Sequence, residues 1–173
     1  RHFPVFTTSF FLMLVALSAP ALTEGPYTYE ISNGEATITE FDRYFSGALA
    51  ITNTLGGCPV TAIRENAFFE HAISAVIIPE TVTRIGAGPF VDCGNLTNIS
   101  VKAENPSYSA TNGVLFDKHY TTLIQYPPEL KGGYEVPFGV TTINDDAFQA
   151  CFHLTEVTIP LTVTSIGDRA FWA

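Results

Sequence analysis

Apolar residues recur along this chain in a fixed order rather than in long runs. Four segments carry Val, Thr, Ile and Phe at the same offsets: Val60-Thr-Ala-Ile-Arg-Glu-Asn-Ala-Phe68, Val82-Thr-Arg-Ile-Gly-Ala-Gly-Pro-Phe90, Val140-Thr-Thr-Ile-Asn-Asp-Asp-Ala-Phe148 and Val163-Thr-Ser-Ile-Gly-Asp-Arg-Ala-Phe171. The first two and the last two start one unit of 22 or 23 residues apart. A second block follows the Phe: Ile73-Ser-Ala-Val-Ile-Ile-Pro79, Leu96-Thr-Asn-Ile-Ser-Val-Lys102 and Leu154-Thr-Glu-Val-Thr-Ile-Pro160. Its last two apolar positions lie two apart, so they share one face of a strand and the residues between them face the other way.

One such unit cannot bury its own apolar face. Stacked units can, each Ile on the next Ile and each Phe on the next Phe, which predicts a solenoid whose core is a set of side-chain ladders. Between the second and third units lies an inserted segment at about 103–139. Within it Gly113-Val-Leu-Phe116 and Thr122-Leu-Ile-Gln-Tyr126 flank a polar turn and predict a hairpin, and Tyr134-Glu-Val-Pro137 returns to the ladder. Pro137 precedes Val140 by the spacing that separates Pro79 from Val82 and Pro160 from Val163.

Ahead of the units, Tyr27–Ile31 and Glu35–Thr39 flank Asn33-Gly34, a strong two-residue turn sequence. This predicts a β-hairpin suited to cap the open end of the solenoid, and Ala48-Leu-Ala-Ile-Thr52 as the first ladder strand. Residues 1–21 have the layout of a secretory leader: Arg1-His2, the apolar run Phe10–Leu17, then Ala19-Pro20-Ala21, with cleavage expected after Ala21. The run is short for a bilayer and broken by Ser18 and Pro20, so the mature chain is expected to have no membrane span. The expected organisation is a leader over 1–21, an N-terminal β cap over 22–57, and a solenoid over 58–173. The chain stops in mid-unit at Ala173, which suggests truncation.

Taken together, the units are similar to the leucine-rich repeats of the BspA-like, or treponemal, class. Val140–Pro160, VTTINDDAFQACFHLTEVTIP, carries the family phrase throughout. Asn105–Phe116, Leu123–Pro127 and Gly56–Ile63 resemble further family segments. The units depart at Phe69-Glu-His-Ala-Ile73 and at Gly88-Pro89, both loop positions. The resemblance implies an α/β fold by superfamily convention, the leucine-rich-repeat horseshoe or solenoid, here strand-rich with little regular helix. It also implies a secreted or cell-surface bacterial protein, of a class in which some relatives are adhesins and no catalytic residues are shared.

Composition narrows the partners. Hydrophobic residues at 46% can build a core, and a net charge of −9 repels phosphate backbones, so no nucleic-acid partner is expected. Cys58, Cys93 and Cys151 are too few for a disulfide framework. Cys93 and Cys151 both stand three residues after the unit Phe, with His71 in that place in the first unit, and are expected as buried thiols. His119 falls in a turn, and His71 and His153 near the unit Phe. No HExxH, GxSxG, Walker A or GxGxxG sequence is present, so no catalytic residue, cofactor or metal is expected. Asp145 and Asp146 are expected to solvate a bend.

What remains is a surface. Ala75, Ile77, Asn98, Ser100, Lys102, Glu156 and Thr158 alternate with the core positions and are the candidate face for a protein, or a glycan, partner. The alternative is a passive repeat spacer within a larger extracellular protein.

Overall fold

The computed structural model describes residues 20–173, so the leader expected over residues 1–21 lies, but for its last two residues, outside them. Among the described residues there is no helix. The described residues open with three antiparallel strands, β1 (Leu22–Glu24), β2 (Tyr27–Ser32) and β3 (Glu35–Phe41). Asn33 and Gly34 close the β2–β3 turn at φ of 55° and 78°, the left-handed backbone that a two-residue hairpin needs at both central positions. β4 (Ser46–Ala50) starts a second sheet, and β5 (Thr54–Leu55) pairs back on β6 (Cys58–Ile63).

From β6 onward each coil supplies one strand to each of two sheets. Coil one is β6 and β7 (Ala72–Ile78); coil two is β8 (Arg84–Ile85) and β9 (Asn98–Val101). An antiparallel meander follows, β10 (Tyr108–Thr111), β11 (Val114–Asp117) and β12 (Thr122–Gln125). Coil three is β12 and β13 (Gly132–Glu135); coil four is β14 (Thr142–Ile143) and β15 (Leu154–Thr158), and β16 (Ser165–Ile166) begins the next turn. On one side the parallel pairs are β3–β6–β8 and β12–β14–β16; on the other they are β4–β7–β9 and β13–β15. Within the segment 103–139, β12 and β13 thus pair as coil strands do, and only β10 and β11 stand outside that pattern.

Backbone amides at the coil bends donate one coil back: Gly86 N to Ile63 O (2.9 Å), Asn144 N to Leu123 O (2.9 Å) and Gly167 N to Ile143 O (2.8 Å). The bend itself repeats. Asn66, Gly88, Asp146 and Arg169, each three residues after the unit Ile, all have left-handed φ between 52° and 57°. Asp146 does not solvate this bend, as its sequence position suggested. It is buried, and its carboxylate accepts from Arg169 Nε (2.8 Å) and Nη2 (3.0 Å) of the next coil. That pairing offsets the loss of solvation.

The rings stack as the repeat requires, in two piles. Tyr27, Phe41, Phe68 and Phe90 follow one another at centroid distances of 4.9, 5.2 and 5.3 Å. Tyr126, Phe148 and Phe171 do so at 5.2 and 4.9 Å, so Tyr126 takes the place of the unit Phe in coil three. The two piles belong to two core clusters that meet across the meander. Leu115 and Ile124 pack into the first cluster, and Val114, Phe116 and Leu123 into the second. β11 and β12 are therefore apolar on both faces, and each fully buried Leu or Phe in them contributes roughly 1.5–3 kcal/mol. The Ile spine follows the same division. Ile63 pairs with Ile85, and Leu123 with Ile143 and then Ile166. Ile166, on the last described coil with nothing stacked on it, is 51% exposed.

Candidate functional site

The strand side of the coils presents two rows of outward residues. Across β4, β7 and β9 the register aligns Ala48 with Ala75 and Asn98 in one row, and Ala50 with Ile77 and Ser100 in the next. The alternating inward residues, Leu49, Val76 and Ile99, are buried, so the strands cannot slip by one residue without turning core to solvent. Ile77 stands at 39% exposure between an alanine and a serine. Asn98 Nδ2 donates to Ser100 Oγ (2.8 Å), which joins the two side chains along the strand. Lys102 lies exposed just beyond β9.

Glu156 and Thr158 belong to a second patch. β15 pairs with β13, setting Glu156 beside Gly133 and Thr158 beside Glu135. The turn between β10 and β11 separates this patch from the first: Ile99 N donates to Gly113 O (2.9 Å), so the turn docks where a further ladder strand would pair. Gly113 fits there because a Cβ would come within 3.2 Å of Thr97 O. The seven residues chosen from sequence therefore divide five and two. Ala75 and Ser100 are half-buried; Ile77, Asn98, Lys102, Glu156 and Thr158 are exposed. The sequence reading missed Ala48, Ala50, Gly133 and Glu135. Alternation within Ala48-Leu-Ala and Tyr134-Glu-Val carried the signal for three of them.

The titratable groups inside the coils are occupied structurally. Cys93 Sγ donates to Phe68 O (3.0 Å), the carbonyl of the ring residue one coil back. His71, in the same place one coil earlier, sets Nε2 against Phe41 O (3.1 Å) and Nδ1 against Phe69 O (2.8 Å). Cys151 Sγ lies at a looser 3.9 Å from Tyr126 O, across the shorter coil three. Burial pushes the Cys93 and Cys151 thiols up to about 12, far from the thiolate a nucleophile needs. His153 Nε2 meets Glu129 Oε2 at 3.1 Å on the surface. Among the described residues no three His, Cys, Asp or Glu side chains group as a metal would require, and no helix is long and apolar enough to cross a membrane.

The sequence profile of the BspA type leucine rich repeat region matches residues 36–131 and 133–173, in six copies. The chain is similar to a leucine-rich repeat protein from Eubacterium ventriosum, with 29% identity and a TM-score of 0.66 over 73% of this chain and 33% of that one. It spans about a third of that relative's length. It is also similar to a leucine-rich repeat protein from Bacteroides ovatus (24% identity, TM-score 0.55, 87% of this chain and 38% of that one). A leucine rich cell surface protein from Faecalibacterium prausnitzii shares 20% identity at a TM-score of 0.51, over 89% of this chain and 74% of that one. These last two likenesses bear on the fold. No curated protein matches the sequence.

Proposed function

Because the chain belongs to the BspA-type leucine-rich-repeat family, we propose that it is a secreted or cell-surface binding protein that holds a protein partner, as an adhesin does, on its strand face. The observation that carries this reading is the aligned double row of outward residues. Across three strands they are small or short polar side chains around one half-exposed aliphatic group, Ile77. Such a surface lets a partner's backbone and side chains approach closely. It loses little side-chain entropy on binding, because Ala, Ser and hydrogen-bonded Asn have few rotamers to surrender. The leader-like residues 1–21 support export, and the structurally engaged Cys93, Cys151 and His71 favour binding over catalysis.

The test is binding of the full chain to a panel of purified extracellular-matrix proteins and glycans, repeated with Ile77→Arg, Ser100→Arg and Thr158→Arg. A ligand of this face is expected to bind at least tenfold more weakly to one or more of the variants, the cost of a truncated or blocked interface centre. A ligand that holds the wild-type chain and all three variants with equal affinity removes the face from the site. A chain that binds no member of the panel favours the passive spacer.

A further inference from the structure

The second patch carries chemistry that the first lacks. Glu135 and Glu156 stand on adjacent strands, both exposed, and neither takes part in an ion pair among the described residues. Gly133 stands directly beside Glu156 and two residues before Glu135, and leaves the sheet open where a side chain would otherwise stand. One residue beyond the prolines that end these two coil segments come Phe138, 86% exposed, and Leu161, fully exposed. They occupy equivalent places on successive coils, and the residues after them are joined by the Gly139 N to Thr162 Oγ1 hydrogen bond (3.4 Å).

Neither apolar side chain serves the core. The same place in coil one is taken by Glu80, a charged and half-buried residue, so the corner does not require an apolar side chain. Coil four stacks directly on coil three, so Phe138 is not exposed for want of a neighbouring coil. Two large apolar groups held side by side in water are what a binding surface needs and what a stable fold avoids. The adjoining carboxylates state the partner's charge, and the chain as a whole, at −9, draws the same sign of partner.

We propose that the β13–β15 face and its Phe138–Leu161 corner dock a cationic, extended protein segment. Its Lys or Arg side chains lie over Gly133 between Glu135 and Glu156, and an apolar side chain rests on Phe138 and Leu161. This deepens the reading that the strand face binds protein, and it names the half of the face and the kind of partner. The β4–β7–β9 half, with no carboxylate among its outward residues, plays no part in it.

The experiment titrates the full chain with a synthetic extended peptide alternating Lys or Arg with Leu or Phe, and with its Glu-for-Lys counterpart. The cationic peptide is expected to bind and the acidic one not, with affinity falling as salt rises. Glu135→Gln with Glu156→Gln is expected to weaken binding at least tenfold and flatten the salt dependence. Phe138→Ser with Leu161→Ser is expected to weaken it about as much at unchanged salt dependence. Glu40→Gln, an exposed carboxylate elsewhere, is expected to leave it unchanged, as is Ile77→Arg. All these positions are on the surface, so thermal unfolding of each variant should match the parent. Equal loss with Glu40→Gln would show nonspecific charge attraction and overturn the proposal, as would no binding or no effect of the Phe138 and Leu161 changes. Loss with Ile77→Arg alone would support the wider strand-face reading and refute this one.

Discussion

Replacing Asn105 with alanine removes four side-chain hydrogen bonds at the joint between coil two and the β10–β11 meander. Asn105 is completely buried. Its Nδ2 donates to Pro79 O (2.7 Å) and Val82 O (2.9 Å), and its Oδ1 accepts from Ser107 N (2.9 Å) and Tyr108 N (2.8 Å). That uses both donors and both lone pairs of the amide. In the alanine variant the two half-buried amides of Ser107 and Tyr108 can turn to water, but the two carbonyls beneath cannot. At about 1–1.5 kcal/mol for each orphaned carbonyl, with a small cavity added, the expected loss is about 2–4 kcal/mol. For a chain of this size that lowers Tm by roughly 5–15 °C.

The assay is thermal and urea unfolding of the full chain followed by circular dichroism. Asn105→Asp gives the second arm: it keeps the acceptors, loses both donors and sets a carboxylate against two carbonyls. It is expected to be less stable than the alanine variant at neutral pH and to recover as the solution is acidified and the carboxyl gains a proton. An alanine variant within about 0.5 kcal/mol of the parent, the range of an ordinary surface change, would refute the account. So would an aspartate variant more stable than alanine at neutral pH.

Gly86→Ala should destabilise by about 1–3 kcal/mol, because its Cβ would fall on the Glu65 amide and within 2.7 Å of Glu65 Cα; Gly94→Ala, with open space around it, is the control and should unfold as the parent does. Stability should decline as pH rises from about 9 towards about 12. The unfolded chain releases the Cys93 and Cys151 protons near the free-thiol value of 9.0, while burial holds them to about 12 in the folded chain, so the folded state binds more protons across that window. The urea midpoint measured across this window should therefore fall, and Cys93→Ala with Cys151→Ala should flatten the slope; an unchanged slope would show that the thiols are not its source.

Much of the fold is written in the residues that recur, and least is legible where a coil changes length. The Val-Thr-x-Ile and Pro-x-x-Val spacings fix which strands align, and β6, β8, β14 and β16 pair accordingly. Coil three hides because Leu123 and Tyr126 stand only three positions apart, where in its neighbours the unit Ile and Phe stand five apart. Its identity as a coil emerges only when Leu123 pairs with Ile143 and Tyr126 stacks on Phe148. The β10–β11 turn is legible in the sequence: Asn112-Gly113 repeats the dipeptide of Asn33-Gly34, and takes φ of 49° and 82°. That the turn would dock on β9 and divide the strand face was not readable, since it depends on Ile99 and Gly113 meeting across the fold. The glycines at 86 and 167 have the same kind of cause. Each follows a coil with the same bend, and the two backbones close on one another at Glu65 and at Asp145. Arg64 and Asn144, at the same place in coils one and four, follow segments of different shape and keep their side chains.

The cysteines show how the interior of this molecule is used. Each coil leaves the carbonyl of its ring residue aimed at the next coil, and a buried carbonyl without a donor costs free energy. The place three residues after the ring must therefore supply a small donor that fits between coils. A thiol does this at Cys93 and an imidazole at His71. The burial that makes the thiol a good filler also holds its proton, as its place in the repeat leads one to expect. The buried aspartate meets the same end in its pair with Arg169. With the interior groups spent on joining coils, the chemistry left free is on the strand face and at its corner. There stand Ile77 between Ala50 and Ser100, Glu135 and Glu156 in no ion pair among the described residues, and Phe138 and Leu161 exposed on successive coils. Under the proposed reading those exposed side chains, rather than the repeat, would encode the partner's identity.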